Sequence, residues 1–153
     1  MDLRDYALRA LEVAKKDLKR DRYLIPVAFI VIEDEILDFS VQFENLEQKL
    51  FVYNKVVEIA KERNARAIIT INDATIKNPP GKSMEGLGPD LSNASGMQEC
   101  IFVTISGPGI RTWSVSVPYL RTNDDIVFGN SQETVNDILN LLPGWPMTQP
   151  ACG

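Results

Sequence analysis

Residues 100–119 read CIFVTISGPGIRTWSVSVPY, and this stretch decides the class of fold. It begins with an apolar run from Cys100 to Ile105 and continues into a turn at 106–109. After the turn, large apolar residues alternate with small polar ones, which is the pattern of a strand with one buried and one exposed face. The apolar members of that alternation are Trp113, Val115, Val117 and Tyr119. The stretch therefore predicts a β-hairpin, the clearest β-structure signal in the chain.

Further strands are predicted on both sides of this hairpin. Residues 24–32, LIPVAFIVI, are apolar on both faces, as in a strand from the middle of a sheet, and Pro26 requires the pairing to begin after it. Residues 37–43 alternate apolar and polar side chains after a short acidic turn, so the two segments predict a second hairpin. Residues 67–71 follow a helix and are expected to run parallel to one strand of that hairpin. Residues 126–128 predict a short edge strand.

Three helices are predicted from apolar residues at spacings of three and four. The first spans residues 3–20, and the second runs from Leu46 to about Arg63. The third has Ser131 at its N-cap and ends before Pro143. The first two are expected to cover the same face of the sheet.

Together these elements predict a single α+β domain of order α-β-β-α-β-β-β-α, with a mixed, mostly antiparallel sheet and the helices packed on one face. The domain is expected to span residues 1–142, followed by a proline-rich C-terminal tail at 143–153. A long irregular loop is predicted at 77–98, because this segment has four Gly, three Pro and no apolar periodicity. One common core is expected to contain Phe29, Phe39, Val57, Ile69, Val103 and Val115.

Composition excludes several classes of function. The 153 residues include 16 Lys and Arg against 21 Asp and Glu, and the net charge of −5 opposes broad binding to phosphates, so nucleic acid is not expected as a partner. The chain has no His, which removes Ser-His-Asp and Cys-His nucleophile systems and the zinc sites that use His. No cofactor is expected.

The sequence also predicts a cytoplasmic protein that does not contact a membrane. Its charged N-terminal segment, residues 1–21, lacks the apolar region of a signal peptide. The nine-residue run at 24–32 is much shorter than the roughly twenty residues that span a bilayer as a helix. Cys100 and Cys152 provide no disulfide framework, and without a His partner Cys100 is interpreted as a small buried apolar residue.

Acidic residues leave one catalytic class open, because Mg²⁺ and Mn²⁺ accept oxygen ligands. Asp38, followed by Glu47 and Lys49, is similar to the acid plus acid-x-Lys pattern of metal-dependent nucleases. Asp73 follows a predicted strand, where sheet proteins often place functional groups. Asp38, Glu47 and Asp73 are therefore the metal candidates if the chain is a metal-dependent hydrolase or nuclease. The alternative is that they are solvated charges at a turn, at a helix start and on a strand face.

Two segments carry a resemblance to other proteins. These are YLIPVAF at 23–29 and ARAIITINDA at 65–74, in the context of an acidic hairpin and a last hairpin. Over most of residues 1–120 this pattern resembles a group of small uncharacterised bacterial and phage-associated proteins. The resemblance implies no activity and transfers no catalytic residue.

The preferred functional hypothesis is a non-catalytic accessory domain that acts through protein contacts. A sheet covered by helices on one face leaves apolar side chains on the other, so Trp113, Tyr119 and Trp145 are predicted as interface residues. Such a patch predicts a homodimer or a groove for another protein. In the alternative, the third helix and the tail fold back over that face and the chain is a monomer.

Overall fold

The structure is a computed structural model that describes residues 2–33, 35–77, 97–135, 142 and 145. In chain order its elements are α1 (Leu3–Asp21), β1 (Val27–Val31), β2 (Ile36–Ser40), α2 (Leu46–Glu62), β3 (Ala67–Lys77), β4 (Met97–Gly107), β5 (Ile110–Arg121), β6 (Ile126–Phe128) and β7 (Gln132–Val135). The predicted α+β class with a single sheet is confirmed. In the part of the chain described, no helix is both long enough and apolar enough to cross a bilayer.

The strands form one sheet in the order β2-β1-β3-β4-β5-β6, and β7 also pairs with β5. Each pairing among the described strands is antiparallel, whereas the sequence predicted a mixed sheet. Since β1 is antiparallel to both β2 and β3, these two strands run in the same direction, but β1 lies between them. Strands β2 and β3 therefore have the predicted parallel orientation, but they are not paired with each other.

The hairpin predicted at 100–119 forms the largest part of the sheet. In β4 and β5, Val103 lies opposite Val115, and Phe102 lies opposite Ser116. The turn uses Gly109 at φ +75, a conformation that glycine adopts without steric cost. The strands extend further than predicted, since β3 ends at Lys77 and β4 begins at Met97. The ends of the loop predicted at 77–98 therefore belong to strands, and residues 78–96 lie outside the described part.

Helix α1 covers one face of the sheet. The Asp2 side chain accepts hydrogen bonds from the backbone N–H groups of Arg4 and Asp5, which caps its N-terminus. The helix ends at Arg22, which adopts a left-handed conformation with φ 68. Its buried stripe consists of Ala7, Leu11, Ala14 and Leu18. This stripe packs with residues of five strands, including Ile69, Val103 and Val115.

Helix α2 covers the opposite face, so the expectation that the helices share one face is wrong. The Asn45 side chain caps this helix by accepting from the Gln48 N–H at 2.8 Å. Tyr53, Val56, Val57 and Ala60 pack against Ala28, Ile30 and Ile68. Successive residues of a strand point to opposite faces, and β1 and β3 are apolar on both, so each face requires a cover. The expected single core is therefore divided by the sheet, with Val57 and Phe39 in the α2 cluster and the other four residues in the α1 cluster.

The segment predicted to begin the third helix forms a strand instead. Residues Gln132–Val135 form β7, which pairs with β5 from Ser116 to Trp113. The N-cap and the apolar spacing that predicted a helix depend only on neighbouring residues. Hydrogen bonding of this segment to the open edge of β5 stabilises a strand instead. Residues 136–141 lie outside the described part. Of the predicted tail, only Trp145 is described.

Candidate functional site

The three acidic metal candidates are not brought together. Asp38 and Asp73 share the α1 face, but they lie two strands and four residues apart, which is roughly 16 Å. Glu47 lies in the first turn of α2, which covers the other face. Among the described residues, no group of three His, Cys, Asp or Glu side chains could hold a metal ion. The metal-dependent hydrolase hypothesis therefore receives no site from these residues.

The three aromatic interface candidates occupy different environments. Tyr119 and Trp145 are each 1% exposed, so both side chains lie in the interior of the chain. The Trp145 Nε1–H donates to the Ser106 carbonyl at 3.1 Å on the α2 face. Trp113 is partly exposed, and its Nε1–H donates to Glu133 Oε1 at 2.9 Å. Only Trp113 of this set reaches the described surface, so the exposed apolar patch must be sought elsewhere.

Tyr119 belongs to a polar network on the α1 face. Its Oη donates to Asp73 Oδ1 at 2.7 Å. The neighbouring Arg121 Nε donates to both carboxylate oxygens of Glu99 at 3.1 and 3.0 Å, and the guanidinium stands 5.6 Å from the Tyr119 ring centroid. Burial, followed by the Asp73 carboxylate, raises the pKa of Tyr119, which keeps the phenol protonated as a donor. The network joins β3, β4 and β5 and has a structural role.

The environment of Asp73 predicts a pH-dependent change in stability. Burial and then the charge of Glu99 raise the pKa of Asp73, while the Tyr119 hydrogen bond and Arg121 oppose this. Since the native pKa lies above the unfolded one, ionisation costs native stability, and this cost grows as pH rises through the native pKa. Asp73→Asn keeps an acceptor for Tyr119, so we expect it to be slightly more stable than the wild type at pH 7.

The comparison uses urea melts of both proteins at several pH values. Below the unfolded pKa of an aspartate, about 3.9, the two melts should coincide, because both side chains are then neutral. The effect should be small, because Asp73 is accessible to solvent even though its carboxylate is partly buried. The measured quantity is the free energy of unfolding of Asp73→Asn minus that of the wild type. If this difference were lower at pH 7 than at pH 3, the raised pKa of Asp73 would be contradicted.

Cys100 is unsuited to nucleophilic chemistry. Its side chain is 2% exposed on the α2 face. Burial, with a smaller contribution from Asp73, raises the pKa of the thiol to about 11. The thiol is therefore neutral at pH 7, and the reactive thiolate is scarce. The placement agrees with the interpretation of Cys100 as a small buried apolar residue.

The outer edge of β2 is a sheet edge that no described strand covers. The Val41 N–H donates to the Pro26 carbonyl at 2.7 Å, and the Glu35 carbonyl accepts from the Ile32 N–H at 2.8 Å. The backbone N–H and C=O groups alternate in direction along an antiparallel strand. Those of Ile36, Asp38 and Ser40 therefore point away from β1. No described residue pairs with these outward groups. An additional strand could therefore pair here.

An apolar groove runs beside this edge, between α1 and the β1–β2 hairpin. It has a volume of about 520 Å³. Its floor includes Phe29 and Ser40, and its α1 side includes Val13. Val13 and Tyr23 are 57% and 58% exposed, so large apolar side chains line a surface open to solvent. The groove and the β2 edge together form what we call the β2 site.

The strand side of the β2 site is acidic, whereas the α1 side of the groove balances Asp17 and Asp21 with Arg9 and Arg20. Residues 24–47 contain six acids and no Lys or Arg. Glu35 forms an ion pair with Arg63, while Asp38 faces solvent on the edge strand. The acidic segment is evident in the sequence, but no local pattern connects it with a groove. One usable signal was Val13, an apolar residue outside the buried stripe of α1.

Comparisons with known proteins add no family to this description. No protein-family model, curated protein or solved structure matches the chain. The resemblance to small bacterial and phage-associated proteins stays a prediction.

Proposed function

We propose that this chain is a non-catalytic accessory domain that binds an extended, basic segment of another protein at the β2 site. The observation that supports it is the unpaired outer edge of β2 beside an exposed apolar groove. Extended peptides commonly bind in this way, because backbone hydrogen bonds supply affinity and side-chain pockets supply specificity. The cytoplasmic location expected from the sequence is part of this proposal.

The incoming segment would form backbone hydrogen bonds with Ile36, Asp38 and Ser40. Alternate side chains of a strand point to one face, so every second residue of the partner would enter the groove toward Val13 and Tyr23. Apolar side chains suit these positions. The remaining side chains would point to the opposite face, and basic residues there suit the partner through long-range attraction, because the segment 24–47 carries only negative charge.

Charge also favours a different protein over a second copy of the chain. Pairing of two β2 edges would bring two acidic segments together, and like charges across strands destabilise the pairing. Charged residues on an edge strand commonly prevent such self-association. The homodimer predicted from the sequence is thus the less favoured occupant of this edge. A molecular mass in light scattering that rises with concentration in the wild type but not in Asp38→Pro would identify the second copy instead.

A fluorescent peptide of alternating lysine and valine tests the proposal by fluorescence anisotropy. We expect saturable binding that weakens with salt. Asp38→Pro removes an outward N–H without removing a hydrogen bond to β1, and it should weaken binding at least about tenfold, equivalent to about 1.4 kcal/mol. Asp38→Asn, which keeps the backbone donor, should weaken binding less and reduce its dependence on salt.

Circular dichroism would establish that both variants fold. A Val13→Glu variant tests the groove separately, because it places a charge where we expect an apolar side chain of the partner. Equal binding of the peptide to the wild type and to folded Asp38→Pro would overturn the proposal. So would the absence of binding to the wild type.

A further inference from the structure

A second cavity lies on the α2 face of the sheet, away from the β2 site. Its volume is about 520 Å³. The floor includes Asn72 from β3, Phe102 from β4 and Ser116 from β5, and the α2 wall includes Lys49 and Tyr53. Cavities of about 300–1,000 Å³ with a few converging polar groups are typical of small-molecule sites. The cavity therefore has the size of a site for a small organic molecule.

Hydrogen-bond donors converge on this cavity. Tyr53 Oη donates to Asn72 Oδ1 at 2.7 Å, which holds the amide and leaves its Nδ2 hydrogens without a described acceptor. The Ser116 hydroxyl has no described partner either. Thr70, which also lines the cavity, shares one hydrogen bond of 2.5 Å with Thr104, in which either hydroxyl can be the donor. Asn72 and Ser116 are thus two donors in the cavity for which the described part of the chain provides no acceptor.

Among the described residues that line the cavity, Lys49 alone carries a positive charge. It forms no ion pair with any residue of the described part. Its Nζ lies 5.5 Å from the centroid of the Phe43 ring, which also lines the cavity. Asp73 also borders the cavity, but its carboxylate accepts a hydrogen bond from Tyr119 on the α1 face of the sheet. The described lining thus combines one cation with three aromatic rings, those of Phe43, Tyr53 and Phe102.

From this arrangement we propose that the cavity binds a small aromatic molecule that carries a single negative charge, such as a carboxylate. The anion would pair with Lys49 and accept from the Asn72 amide. The apolar body would contact Phe43 and Phe102. A phosphate with two charges fits less well, because one lysine provides all the positive charge among the described lining residues. This inference does not depend on the function proposed for the β2 site.

The test uses 8-anilinonaphthalene-1-sulfonate, an aromatic monoanion whose fluorescence rises in apolar sites. Lys49→Met removes the charge and retains an apolar side chain of similar length, and it should weaken binding of the probe at least about tenfold. Lys55→Met is the matched control. Lys55 also lies on α2 and over a phenylalanine ring, 5.6 Å from the Phe51 centroid, but it does not line the cavity. It should leave binding unchanged.

The neutral analogue N-phenyl-1-naphthylamine separates charge from shape. It should bind the wild type and Lys49→Met equally. Ser116→Leu should weaken both probes by filling the cavity, and Ala74→Leu serves the same purpose if Ser116→Leu fails to fold. Unchanged binding of the anionic probe to Lys49→Met would overturn the proposal. So would loss of that binding in Val13→Glu, because the probe would then occupy the β2 site.

Discussion

Trp145→Ala is expected to lower the free energy of unfolding by about 3–5 kcal/mol, the usual cost of truncating a large buried aromatic side chain. The Trp145 side chain is 1% exposed and belongs to the cluster under α2. Truncation would leave a cavity between this cluster and β4. The Ser106 carbonyl would also lose the indole donor. Denaturant unfolding followed by circular dichroism measures the change.

Two further variants show what the Trp145 ring contributes. Trp145→Phe retains most of the apolar surface but removes the donor, so it should cost about 1–3 kcal/mol. Trp113→Ala is the control on the α1 face, where the ring is partly exposed, and it should cost less than about 2 kcal/mol. If Trp145→Ala cost no more than Trp113→Ala, Trp145 would not contribute to the core as the structure places it.

Gly107→Ala is expected to destabilise the protein by about 3 kcal/mol or more, at the upper end of the usual cost of overpacking. A Cβ atom at this position would overlap the Arg66 carbonyl oxygen and would lie 3.1 Å from the Ala67 Cα. Both neighbours are backbone, so no side-chain rotation can relieve the overlap. The start of β3 or the end of β4 must shift, and the pairing of Ile68 with Ser106 lies beside this contact.

Gly109→Ala provides the matched control two residues away. An added Cβ there would meet no atom within 4 Å, but the residue adopts φ +75. The expected cost is about 1–2 kcal/mol, which arises from the left-handed backbone alone. Parallel thermal melts of the two variants make the comparison. A Gly109→Ala protein less stable than Gly107→Ala would show that close approach of the backbones is not what requires glycine at 107.

Local patterns in the sequence determined most of the elements. The stripes of α1 and α2 and the alternation in β5 were sufficient because helices and hairpins repeat their apolar residues at short, regular spacings. The absence of His and the buried position of Cys100 were equally accessible, because they depend on composition and on neighbouring residues.

Only the tertiary structure decided how those elements are arranged. Strands β1 and β3 are apolar on both faces, so their sequences do not indicate which helix covers which face. β7 pairs with β5, an interaction that the helix-like local pattern of residues 131–142 does not contain. The residues of the candidate sites could not be predicted from the sequence either, because they come together through contacts between distant segments. Asp38 and Asp73 were both candidate metal ligands in the sequence, but the sheet places them far apart. Lys49, Asn72 and Ser116 are distant in the sequence, and they line one cavity only because the fold brings α2, β3 and β5 together.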